Sequence, residues 1–151
     1  MFRGHSYRNL DPKGRLMLPP EFREEILRHS PEGRLVLTRF DTCVCGYPLS
    51  AWEEVERSFA GINMLEIKQR NLQRLLIAGA MEVTLDKQGR ILVPPHLRAY
   101  GGLDKDVVLA GMVTKFEIWD QARFEERLQA TEENFDKDMA ELAAAGFQLH
   151  L

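Results

Sequence analysis

Asp11-Pro-Lys-Gly-Arg15 and Asp86-Lys-Gln-Gly-Arg90 each set a carboxylate four residues ahead of a guanidinium, twice in one chain of 151 residues. Gly14 and Gly89 precede the arginines and let the backbone bend sharply before whatever strand follows. The first copy places Asp at position i, Pro at i+1 and Gly at i+3, as a type I turn prefers. An arginine on a rigid turn can read guanine O6 and N7 bidentately in a major groove, or clamp a phosphate. The same Asp and Arg can instead make a local ion pair that only pins the turn. Recurrence then reflects duplication of a structural element. Lys13, Arg8 and Arg3 lie close in sequence to the first turn and are candidates for phosphate contacts.

Other reactive residues point to less. Cys43 and Cys45 are two apart on an expected strand, so both face one side of it. A metal site needs three or four ligands, and His5, His29, His96 and His150 are scattered. The thiols are therefore expected to be buried small hydrophobes, with no metal and no cofactor. Two cysteines make no disulfide framework, which fits a reducing cytosol. There is no Gly-rich phosphate loop and no nucleophile-elbow sequence, so an enzyme is not expected.

The elements that must position these residues come as a repeat. Residues 11–23 align with 86–98 at an offset of 75, with Asp, Gly, Arg, both prolines and the final Arg identical. After a three-residue shift, Leu35-Val-Leu37 aligns with Val107-Val-Leu109, Tyr47 with Trp119, and Trp52-Glu-Glu54 with Phe124-Glu-Glu126. The shift falls in the loop after the first helix, where deletions are best tolerated. Each unit reads as a strand (7–10, 81–85), the turn, and a short strand (16–18, 91–93). Pro-Pro then stops the strand and opens a short helix (22–28, 97–100), and a hairpin follows (34–39 with 43–47, 107–111 with 115–119). Ser50-Ala-Trp-Glu53 has the form of a capping box. Asp120 is placed to cap one long final helix running to about residue 145, and residues 63–75 read as a linking helix. The recurring aromatics at 47, 52, 119 and 124 are expected in duplicated core packing. The expected class is α+β, with halves at 1–75 and 76–151.

Apolar residues make up 44% and charged residues 28%, ordinary for a soluble protein. No stretch approaches the roughly 20 apolar residues of a membrane span, and no export signal is evident, so a cytoplasmic location is expected. The net charge of −3 is unevenly spread. Residues 1–40 carry eight basic and five acidic side chains, +3, while 120–142 carry three and eight, −5. Phosphate binding depends on the local field, and the front of the chain permits a basic face.

The pattern MFRG…DPKGRLMLPPEFR…LVLTRFD…CGYP…W, followed by R…LLIAGAMEVTLDKQGRILVPPHLR, resembles the MraZ family over about residues 1 to 146. Asp-x-x-Gly-Arg followed by a strand and Pro, twice at this spacing, is that family's hallmark. The resemblance implies two AbrB-like, swapped-hairpin halves joined into one pseudo-symmetric β-barrel with flanking helices. It also implies a homo-oligomeric ring of about eight to twelve subunits. The function implied is a nucleoid-associated transcriptional repressor. It would bind double-stranded DNA at direct repeats upstream of the bacterial cell-division and cell-wall gene cluster, its own gene included. By motif, Arg15 becomes the first DNA contact, supported by Lys13 and Arg3, with Asp11 and Gly14 shaping the turn. Arg90, Asp86 and Gly89 match the second copy, where contact with DNA and contact with a neighbouring subunit both stay open. Met17, Pro12 and Glu21 depart from the family pattern and bear on target preference. Two rivals remain: a ring-forming scaffold in which both turns make subunit contacts, and an AbrB-like antidote to a toxin.

Overall fold

Continuous apolar runs, buried on both faces, set the four central strands, and the sequence offset between the halves reappears in how they pair. A computed structural model describes residues 1–151. Its strands are β1 (His5–Asn9), β2 (Arg15–Met17), β3 (Arg34–Phe40), β4 (Cys43–Pro48), β5 (Met81–Thr84), β6 (Arg90–Leu92), β7 (Asp106–Gly111) and β8 (Phe116–Asp120). The helices are α1 (Pro20–His29), α2 (Leu49–Ser58), α3 (Ile67–Leu76), α4 (Pro95–Gly101), α5 (Gln121–Glu133) and α6 (Phe135–Ala144). No helix is long and apolar enough to cross a membrane.

The halves interleave. One six-stranded sheet runs β1-β7-β8-β4-β3-β5, and β2 pairs with β6 in a separate two-stranded ribbon. The strand pairings between the halves are antiparallel and obey a pseudo-twofold relation. β1 on β7 mirrors β5 on β3, while Leu16 opposite Ile91 and Cys45 opposite Glu117 lie on the pseudo-axis itself. The barrel that the resemblance implies is not closed by backbone hydrogen bonds, because the ladder ends at β1 and β5. The chain leaves the sheet at each Asp-to-Arg turn, and the outgoing strands pair with one another instead of with the sheet's edges.

One face of the sheet and the inner face of the ribbon share a core. Leu16, Ile91, Leu37, Leu109 and Val44 are fully buried in it, and so is Phe116. The Phe116 ring lies 5.4 Å from Phe2 and 5.5 Å from Phe22, which meet each other edge-on at 5.1 Å. A Cβ at Gly46, opposite Phe116 in the ladder, would fall on the Phe116 ring. The other face carries Thr38, whose hydroxyl donates to Leu76 O at 2.6 Å and so ties α3 to β3.

Helix starts follow proline more than capping side chains. Pro20 and Pro95 open α1 and α4, and Gly102, at φ 62°, ends α4 in the left-handed conformation. The capping box expected at Ser50 does not form. Pro48 (φ −58°, ψ 155°) starts α2 earlier, at Leu49, and the Ser50 hydroxyl instead lies 2.7 Å from His29 Nδ1. The linking helix begins at Ile67, where the Glu66 side chain accepts from Gln69 N.

The C-terminal unit, residues 122–151, also departs from expectation. Its helix is interrupted at Asn134. Asn134 Nδ2 donates to Ala130 O at 2.8 Å and Thr131 Oγ1 to Arg127 O at 2.9 Å. Such side-chain bonds to the carbonyl one turn back bend and break helices.

Candidate functional site

Each Asp-to-Arg segment is held chiefly by its aspartate. Asp11 Oδ1 accepts from Lys13 N at 2.9 Å and Arg15 N at 2.8 Å, and Oδ2 accepts from Arg15 Nε at 2.6 Å. Asp86 does the same with Gln88 N (2.9 Å), Arg90 N (2.9 Å) and Arg90 Nε (2.8 Å). Gly14 and Gly89 close the turns with N–H bonds to Asp11 O and Asp86 O, at φ +87° and +81°, where a side chain is strained. The local ion pair that pins the turn is therefore formed in both copies. The pair engages Nε of each arginine, and in the second copy Arg90 Nη2 also donates to Gln88 Oε1 at 3.4 Å.

Both aspartates are held below the ordinary carboxylate range, first by the backbone N–H of the arginine, with partial burial opposing and the guanidinium adding. A depressed folded-state value means the turns' contribution to stability is complete above the ordinary aspartate range. It is lost as pH falls through the lower folded values, below about pH 4. Replacing both with asparagine keeps an Oδ1 acceptor and removes the titration. Urea midpoints measured between pH 5 and pH 3 should therefore fall less steeply for the Asp11→Asn/Asp86→Asn variant. Parallel profiles would show that the turns contribute nothing to acid sensitivity.

The ribbon brings the two arginines onto one face. Leu16 and Ile91 point inward, so Arg15, opposite Leu92, and Arg90, opposite Met17, point outward together. They occupy diagonal positions, roughly 7–8 Å apart at Cα. Their side chains are 37% and 29% exposed. Lys13 is exposed at the tip of the first turn, and Arg8, on β1, bonds Ser6 Oγ through Nε at 2.9 Å. Arg3 is not gathered in. It precedes β1, at the end of that strand away from the turn, about 25 Å along an extended chain from Asp11.

Two residues of the site escaped the reading of the sequence. A Cβ on Gly14 would lie 2.8 Å from Cζ of Arg98, and one on Gly89 would meet the Arg23 side chain. Each turn thus carries the guanidinium of the other half's helix laid across its glycine. The Nε atoms of Arg23 and Arg98 are buried with no hydrogen-bond partner. Their identity at the 75-residue offset was the available signal.

Comparison with known proteins gives a consistent answer. The family model described as "MraZ protein, putative antitoxin-like" matches residues 1–75 and again 76–145. A protein of Solidesulfovibrio magneticus named "Transcriptional regulator MraZ" is 63% identical, covering 99% of each chain. Proteins with the same name from Nitratidesulfovibrio vulgaris and Pseudomonas fluorescens are 51% identical over 97% of this chain (96% of theirs) and 45% identical over 80% (81% of theirs).

Proposed function

The chain belongs to the MraZ family, and from that premise we propose that it is a sequence-specific DNA-binding transcriptional regulator, acting as a repressor and not as an enzyme. The observation that carries this reading is the outward pair Arg15 and Arg90 on a two-stranded ribbon. A major groove admits such a ribbon, and an arginine fork reads guanine there bidentately. Lys13 and Arg8, with Arg23 and Arg98 across the glycines, supply phosphate contacts that set orientation without reading sequence. In this reading Arg90 is a second DNA contact, since it shares the outward face with Arg15. Arg3 contributes at most to the general field.

The finer features follow the family resemblance. The halves are taken as AbrB-like swapped hairpins that together form a barrel-like body. One body makes few contacts and binds one short box weakly. A ring of about eight to twelve copies would engage successive direct repeats through effective concentration. The proposed targets are repeats upstream of the cell-division and cell-wall gene cluster that includes the protein's own gene, read in the cytoplasm at the nucleoid.

The test is fluorescence anisotropy with the fragment upstream of the protein's own gene and a shuffled fragment of equal length, across a salt series. Preference for the native fragment should reach at least about a thousandfold. The logarithm of affinity should fall with the logarithm of salt, by about 0.9 for each phosphate neutralised. Equal binding to both fragments would remove the specificity claim. No binding to either would favour the scaffold reading, in which the turns contact neighbouring subunits.

A further inference from the structure

Two thiols and a carboxylate meet on the pseudo-axis, on the sheet face opposite the main core. Cys43 Sγ lies 4.0 Å from Cys45 Sγ, and Cys45 stands opposite Glu117 in the β4–β8 ladder. Both sulfurs and a Glu117 oxygen fall within 4.8 Å of one another, and all three residues are buried. Trp119 Nε1–H donates to Glu117 Oε1 at 3.0 Å and orients the carboxylate. Lys115 Nζ sits 3.9 Å from Cys45 Sγ, over the rings of Phe40 and Tyr47 at 5.2 and 5.5 Å.

We propose that Cys43, Cys45 and Glu117 bind one thiophilic divalent cation, of which zinc is the type. With zinc–sulfur bonds of about 2.3 Å, sulfurs 4.0 Å apart subtend an angle of about 120° at the metal. Glu117 is the third protein ligand, its oxygen drawing in from its place within 4.8 Å of the sulfurs, and a water molecule would fill the fourth position of a four-coordinate zinc site. Thiolates select a soft ion over magnesium or calcium. Charge selects a divalent one. Two thiolates and a carboxylate carry −3, the ion +2 and Lys115 +1, which leaves the buried cluster neutral, whereas a monovalent ion leaves it negative. Trp119 supplies the outer hydrogen bond that fixes a ligating group. On binding, each thiol releases its proton to solvent as its sulfur bonds the metal, and Cys43 gives up its 3.2 Å contact with Phe40 O. Access runs past Lys115, which is only partly buried.

The site joins the halves where their sheet seam is short, since β4 and β8 share only three register pairs. A bound ion would staple that seam. The proposal stands independently of the DNA-binding reading.

The test uses the full chain, stripped with a chelator under reductant and titrated with Co²⁺, then with Zn²⁺ against a chromogenic chelator. The wild type should saturate at one ion per chain and show thiolate-to-cobalt charge-transfer absorption. Cys43→Ser and Cys45→Ser should abolish that absorption, and Trp119→Phe should weaken zinc binding by about 10-fold or more. Zinc at a hundredfold excess over Kd should raise Tm by roughly 5–10 °C. Absence of the charge-transfer band in the wild type overturns the proposal, and no folding defect in a variant can produce that result. Undiminished zinc binding by the Cys43→Ser/Cys45→Ser double variant overturns it equally.

Discussion

Arg15→Ala should lower affinity for the upstream fragment by at least about 100-fold while leaving Tm within about 3 °C of the wild type. The first figure follows from a bidentate base contact, each good for about 1–3 kcal/mol of discrimination, repeated over every module that engages a box. The second follows from the turn's architecture. Asp11 holds the turn through the backbone N–H groups of Lys13 and Arg15, and those bonds survive loss of the arginine side chain. What disappears is a partly exposed ion pair through Nε, a kind of contact that contributes little to stability. Arg15→Lys sharpens the result. It keeps the charge and loses the fork, so binding to shuffled DNA should persist while preference for the native fragment falls. Affinity, Tm and oligomer size would be measured on the same preparations. If Arg15→Ala binds the native fragment within about threefold of the wild type, Arg15 is not a base contact. A change in oligomer size would instead place Arg15 in a subunit interface.

Phe116→Ala should destabilise the fold by about 3–5 kcal/mol, the range for deleting a fully buried phenylalanine. Against a total of about 5–15 kcal/mol for a typical domain, that is a large fraction. Phe116 belongs to the second half, yet it packs on Phe2 and Phe22 of the first. Its ring also fills the space left by Gly46, where no Cβ would fit. Truncation therefore opens a cavity bounded by both halves, with a rigid ladder on one side and little freedom to collapse. Urea denaturation gives the value, and a loss under about 1 kcal/mol would mean that the aromatic cluster relaxes into the space.

Local pattern carried the parts of this protein that local chemistry decides. The Asp-to-Arg turns, the proline helix starts and both hairpins follow from residues within a few positions of one another. The Ser50 capping box failed for an equally local reason, a proline two residues earlier. The interruption at Asn134 comes from side chains that compete for helix carbonyls, while the helical spacing of Phe124, Leu128, Thr131 and Phe135 runs on past it. Juxtapositions across the pseudo-axis were not legible. Nothing near Arg98 says that its guanidinium lies on Gly14, and nothing near Cys45 says that Glu117, 72 residues on, stands opposite. Arg15 and Arg90 on one face required the β2–β6 register, which duplicate sequences suggest but do not specify. Arg3 shows the converse, since closeness in sequence to the turn did not bring it there.

The interleaved sheet also sets the order in which this chain can mature. Arg8 pairs with Val107, 99 residues later, so β1 leaves the ribosome well before its partner exists. At about 5–20 residues per second that interval is roughly 5–20 s. During it the first hairpin, β3–β4, can form alone, but β1 and the outer side of β4 have no strand to accept their hydrogen bonds. Contacts so distant in sequence also slow the search for the native pairing. A nascent first half meets its complement either later in its own chain or in a finished copy nearby. The geometry that completes one molecule thus also offers a route by which two growing chains could exchange halves.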